Sequence, residues 1–246
     1  MQAQTCRGTS RLSVAFRTTV ALILAGILWG CDRIPNSVPA GGPASTSSST
    51  RSSLPGDERA IEPLPLDGSS LYYYSEGVRF QLTPSLSWIA VKFAHDDPAE
   101  QSASLQGSIA GPLNEARKLA NPALTLLPVQ KGVTAEQLIE GINSLRARQS
   151  SFLLVNPVFQ SGDAQMILSD EFIAGFSAEK GKSAIDAINS SHGVEVVGPI
   201  LGQENTFVLR VVSGARLDAL AMANLYREQG LALSASPNFL RMTTVP

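Results

Sequence analysis

From residue 170 onward the spacing of apolar positions switches repeatedly between two residues and three to four. Phe172, Ala174 and Phe176 alternate with Ile173 and Gly175, the period of a strand buried on one face. After a turn at residues 181–183, Ala184, Ile185 and Ile188 follow helical spacing. That run stops at His192-Gly193, where glycine supplies the left-handed helix stop. Residues 194–197 read as a second strand, and beyond a polar turn at residues 202–205 Phe207, Leu209 and Val211 share one face of a third. Leu217, Leu220, Ala221 and Leu225 form a second helical stripe ended by Gly230, and residues 231–234 read as a last short strand.

The order βαββαβ predicts an α+β fold of ferredoxin-like type, a four-stranded antiparallel sheet with both helices on one face and the other face open. The first half carries a weaker version of the pattern. Residues 71–75 and 78–82 flank Glu76-Gly77 as a hairpin. Residues 88–93, 124–129 and 152–155 read as strands, and residues 113–120 as a weak helix. Thr134 and Gln137 have the form of a capping box ahead of Leu138, Ile139, Ile142 and Leu145. Laying Pro157 on Pro237 puts Leu145 on Leu225 and Ile142 on Met222. Two tandem subdomains are therefore expected, at residues 66–160 and 168–241, with residues 242–246 as a C-terminal tail.

The N-terminus changes the picture. Arg7, Arg11 and Arg17, with no acid among them, precede an apolar run at residues 20–29, shorter than the ~20 residues of a membrane span. Residues 1–30 thus read as a secretory signal. Leu28-Trp29-Gly30-Cys31 resembles a bacterial lipobox, which implies lipidation of Cys31 and an exported, membrane-anchored lipoprotein; Trp29 stands where that pattern has a small residue. Ordinary cleavage nearby and an uncleaved anchor are the alternatives. Asp32 resembles an inner-membrane retention signal. Residues 31–65, rich in Ser, Pro and Gly, read as a disordered linker or tether.

Composition narrows the function classes. With 43% hydrophobic and 16% charged residues the rest of the chain can fill a core. Loss of the three arginines takes the formal charge from −2 to −5, which argues against nucleic acid as partner. Cys6 leaves with the signal, so Cys31 has no disulfide partner in the mature chain. Neither GxxxxGK[ST] nor GxGxxG occurs, and no small-molecule cofactor is expected. His95 beside Asp96 and Asp97 reads as a solvated turn rather than a metal site. Three tyrosines in a row, Tyr72 to Tyr74, point alternately to opposite faces and read as packing rather than a stacking platform.

The runs DEFIAGF, HGVEVV, NTFVLRVV, LAMANLYREQG and SPNFL, with YYYSEGVRFQLTPS, WIAVKF and FLLVNPVF upstream, resemble the N-terminal pro-region of subtilisin-like serine proteases, the fervidolysin-type prodomain, over residues 71–241. The resemblance implies a non-enzyme without the catalytic domain. Gly8-Thr9-Ser10 and His192-Gly193-Val194 imitate fragments of the protease motifs, but no Asp-Thr/Ser-Gly accompanies them. It further implies a subtilisin-like serine protease as partner, docked on the open sheet face, with the segment after the last strand lying in the enzyme's cleft. Here that segment starts at Asn238, and Phe239, Leu240, Arg241, Met242, Thr243, Thr244 and Val245 are the expected contacts; a frayed end is the alternative. Glu204 in the central turn would face helix N-termini of the partner, or simply water. Inhibition or assisted folding in trans is the expected role, against an orphaned pro-region without activity or a general envelope interaction module.

Overall fold

A computed structural model of the chain describes residues 61–119 and 123–243. The signal segment, Cys31, the linker up to residue 60, Thr244 and Val245 lie outside the described residues. Those described belong to one compact unit, Arg51–Pro246.

The fold is α+β, with a mostly antiparallel sheet and four α-helices among the described residues. A small hairpin, β1 (Tyr72–Ser75) and β2 (Val78–Gln81), precedes the main sheet. The first half then runs β3 (Thr83–Phe93), α1 (Pro98–Ser104), a short 3-10 turn, β4 (Arg117–Lys118), β5 (Thr125–Pro128), α2 (Ala135–Arg146) and β6 (Phe152–Ser161). The second runs β7 (Ala164–Gly175), α3 (Lys182–Ser191), β8 (Val194–Pro199), β9 (Thr206–Val211), α4 (Ala219–Glu228) and β10 (Ser234–Thr243).

All strands from β3 onward form one sheet of eight, ordered β4-β5-β3-β6-β7-β9-β8, with β10 on the other edge of β7. In each half the fourth strand pairs with the first, the first with the third and the third with the second: β6-β3-β5-β4 and β10-β7-β9-β8. Pro157 lies opposite Ile89 and Pro237 opposite Phe172, so the two prolines hold matching places in the fourth strands. No linker separates the halves. Ser161 faces Ala164 across a tight turn, and the β6–β7 hairpin carries the sheet from one half into the other.

Alternation along the strands sends every second side chain to the helix side. Ile89, Val91, Leu127, Val155, Phe159, Met166 and Leu168 meet Leu138, Ile139, Ile142 and Leu145 of α2. Leu105 and Ile109, just beyond α1, join the same layer. In the second half Phe172, Ala174, Phe176 and Leu209 meet Ile185 of α3 and Met222, Ala223 and Tyr226 of α4. Helix α4 straddles both clusters, because its first residues, Ala219 and Leu220, pack with the first half.

A buried polar knot pins that bridge. The Arg146 side chain, 3% exposed, closes a 2.7 Å ion pair on Asp218, whose other oxygen accepts from the Ala221 amide and caps α4. Arg146 also donates to the Val155 carbonyl at 2.8 Å and to Asn156 Oδ1 at 2.9 Å. Asn156 in turn donates to the Leu168 carbonyl at 3.2 Å. One guanidinium thus ties α2, β6, β7 and α4.

Three expectations are corrected here. The last strand is not residues 231–234 but Ser234–Thr243, paired with β7 along its length apart from a bulge at Asn238. Leu231–Leu233 form the turn into it, where Ala232 donates back to the Tyr226 carbonyl. The weak helix at residues 113–120 is one 3-10 turn followed by the edge strand β4. Helix α1, beyond the His95–Asp97 turn, has no counterpart among the expected elements: Asp97 caps it through the Ala99 amide and Pro98 opens its first turn.

Replacing Arg146 with alanine leaves Asp218 buried without its cation, and should lower stability by about 3–5 kcal/mol in urea unfolding. Arg146→Met combined with Asp218→Asn, which keeps a cap for α4, should cost less than the single change. A loss under about 1 kcal/mol for Arg146→Ala would show that the knot does not join the halves.

Candidate functional site

The residues singled out from sequence do not come together. Phe239, Leu240, Arg241, Met242 and Thr243 lie in β10, opposite Leu168, Ile167, Met166, Gln165 and Ala164. Phe239 packs edge-on to Tyr73 at 5.4 Å and to Phe159 at 6.1 Å, on the helix side. Leu240 and Met242 point to the other side, onto an apolar cluster of the first half. Arg241 and Thr243 are exposed. Residues 239–243 are therefore structural strand rather than a free tail, because β7 offers them a continuous partner edge. Glu204 is exposed in the β8–β9 turn beside Leu201, which is 94% exposed. That turn lies by the Gly175 end of β7, whereas Thr243 faces Ala164, so roughly 35 Å of strand, at ~3.3 Å per residue, separates them.

What the fold does present is a sheet face with no described helix over it. Directly opposed residues of antiparallel strands share a face. Glu195 lies opposite Arg210, Arg210 opposite Glu171, Val208 opposite Ile173, Ile173 opposite Ser236, and Gly175 between Thr206 and Ser234. At the centre Ile173 and Val208 are half-buried, flanked by small side chains. A Cβ at Gly175 would stand 2.8 Å from Ser234 Oγ, so the absence of a side chain there leaves room for that hydroxyl. On the edge strand β8, Gly198 lies opposite Val208 on this face, whereas Val196 lies opposite Leu209 on the helix side.

At one border of this face the charges converge on Arg210. It donates to Glu171 at 2.8 Å and to Glu195 at 3.2 Å, with Asp170 at 4.0 Å. These carboxylates, the Glu171 hydrogen bond first, hold the guanidinium above its ordinary pKa. Asp170 also meets Lys92 at 3.6 Å. The group borders a cleft of about 290 Å³ in the fork where β6 leaves β7 and β9 takes its place, lined by Lys92, Leu154, Asn156, Asp170, Arg210 and Asp218. Each charged group in the cleft already has an oppositely charged neighbour. Such a cleft can seat a small group or a side chain of a partner.

The two histidines stand apart. His95 lies 3.9 Å from Glu100, and His192 ends α3 with Nδ1 2.9 Å from the Ile188 carbonyl, Gly193 taking φ 66 behind it. Among the described residues no group of three or more His, Cys, Asp or Glu is placed to hold a metal ion, and no helix is long and apolar enough to cross a membrane. Tyr72 and Tyr74 both donate to Glu228 of α4, at 2.7 and 3.1 Å, while Tyr73 stacks on Phe80. The tyrosine run thus fastens the β1–β2 hairpin to the body. Sequence reasoning missed Arg146, Asn156, Asp218 and Arg210; the one available signal was a charged or amide residue inside an otherwise apolar run. No family model, no curated protein and no solved structure matches this chain.

Desolvation, then the hydrogen bond to Glu228, pushes the Tyr72 hydroxyl up to about 12. The unfolded value is about 10, so the fold favours neutral Tyr72. That contribution is complete below about pH 10 and is lost as pH rises toward 12. Thermal midpoints of the wild type should fall faster than those of Tyr72→Phe across this window, and parallel curves would refute the assignment.

Proposed function

We propose that this chain is a non-catalytic, exported binding protein that docks on a subtilisin-like serine protease through the helix-free face of residues 164–243, as inhibitor or folding helper. The supporting observation is one-sidedness: the described helices gather on one side of the sheet, and the opposite side of the second half offers a strip of Ile173 and Val208 among Gly175, Ser234 and Ser236. The repeated fourth-first-third-second strand order is that of two ferredoxin-like units in tandem, as the resemblance to a protease pro-region implies. A face of this kind binds by shape and by a few apolar anchors, with charged groups such as Glu171, Arg210 and Glu195 setting register at the rim.

In this reading the sheet face carries the contact in place of the tail, since β10 consumes residues up to Thr243. Cys31 serves as the lipid anchor. A coil as long as residues 32–60 would span roughly 30 Å at 5–6 Å times the square root of the length, enough to hold the docking face clear of a membrane.

The purified chain titrated against a subtilisin-like protease encoded beside it should inhibit in a saturable manner. Ile173→Lys and Val208→Lys should each weaken inhibition tenfold or more while keeping a cooperative unfolding transition. Deleting residues 244–246 should change it less than twofold. Inhibition that survives both lysine changes, or none at all from the wild type, refutes this reading.

A further inference from the structure

The fork cleft holds two charges that the fold does not hydrogen-bond. Arg210 directs its donors to Glu171 at 2.8 Å and Glu195 at 3.2 Å, and Asp218 is taken up by Arg146 and the Ala221 amide. Asp170 and Lys92 have no such partners. Asp170 stands 3.6 Å from Lys92 and 4.0 Å from Arg210, beyond hydrogen-bond reach of both, and neither Asp170 nor Lys92 makes a side-chain hydrogen bond to a described residue. Both side chains are nonetheless drawn back from water, Asp170 to 21% exposure and Lys92 to 35%. A carboxylate held this way keeps open acceptor sites, and the lysine keeps open donors, side by side on one wall.

The remaining wall is apolar. Leu154 and Leu217 line it, as do Leu153 and Val212, which are 44% and 38% exposed and so leave apolar surface for a ligand to cover. The volume, about 290 Å³, lies at the lower end of the ~300–1,000 Å³ of ligand pockets and suits a molecule the size of one amino acid. Charge then selects the head group. A lone cation set against Asp170 would also meet Lys92 and Arg210, and a lone anion set against Lys92 would meet Asp170; like charges at such range are costly. A zwitterion answers both sides. An α-amino acid carries ammonium and carboxylate on one carbon, a spacing that matches two groups 3.6 Å apart.

We propose that the fork cleft binds a free α-amino acid with an apolar side chain. Its ammonium donates to Asp170, its carboxylate accepts from Lys92, and its side chain lies along Leu153, Leu154 and Val212. The site goes beyond the docking role: it requires neither a protease nor the strip at Ile173 and Val208. It gives the joint between the two halves a small-molecule ligand of its own.

Calorimetric titration of the purified full chain with leucine at neutral pH should show saturable one-to-one binding. N-acetylleucine, which lacks the ammonium, 3-methylbutylamine, which lacks the carboxylate, and glycine, which lacks the apolar side chain, should each bind roughly tenfold or more weakly. Asp170→Asn and Lys92→Met should each weaken leucine by a similar factor while the urea transition stays cooperative. Equal binding of leucine and 3-methylbutylamine overturns the proposal in favour of a plain cation site. Leucine binding that survives both substitutions, or no saturable heat from leucine at all, overturns it outright. Because no protease enters this measurement, its failure leaves the docking test standing, and the reverse.

Discussion

The Arg146–Asp218 pair is the point on which the two halves depend. A buried ion pair is costly to desolvate, and it is tolerated only where further hydrogen bonds satisfy both partners. Here they do: the guanidinium also reaches the Val155 carbonyl and Asn156, and the carboxylate also holds the α4 N-terminus. The specificity gained is geometric. Two copies of the same strand order could meet at many angles through apolar surface alone, because burial is not directional. The planar fork of one arginine admits a single arrangement of α2, β6 and α4.

That arrangement fixes which side of the sheet the described helices cover. With α2 and α4 locked on the same side, the opposite side of the sheet carries the buried cluster of Ala90 and Ile167 in one part and the half-buried Ile173 and Val208 in another. The fork between β6 and β9 is a consequence of the same joint, since β7 is longer than either neighbour and must serve both. Opposite charges meet at that fork, with Asp170 3.6 Å from Lys92 and 4.0 Å from Arg210.

Much of the fold could be read along the chain. Thr134 and Gln137 form both bonds of the capping box, at 3.2 and 2.9 Å, since a cap needs only residues three apart. The alternation at Phe172, Ala174 and Phe176 leads to a buried cluster, whereas the stripe read at Leu217, Leu220, Ala221 and Leu225 is displaced: Met222, Ala223 and Tyr226 are the buried residues of α4 in that cluster, and Leu217 and Leu225 flank them half-buried. Helix α1 was obscured because its interior, PAEQSAS, lacks an apolar stripe and buries Gln101 instead, whose side chain donates to the His95 carbonyl. Strand β10 was obscured by Pro237 and Asn238, which read as a terminus but sit at a bulge in an edge strand, where a proline removes no needed ladder bond.

The candidate site divides in the same way. Local periodicity determined by itself that the chain is α+β, where α2, α3 and α4 begin and end within a few residues, and that its second half buries one sheet face, because period and caps are properties of neighbours in sequence. Only the tertiary structure decided that the halves share one sheet, that Phe239 to Thr243 are strand rather than tail, and that Arg146, Asn156 and Asp218 meet. Those outcomes depend on which distant edge or charge a segment encounters, and no spacing along a single stretch of chain carries that information.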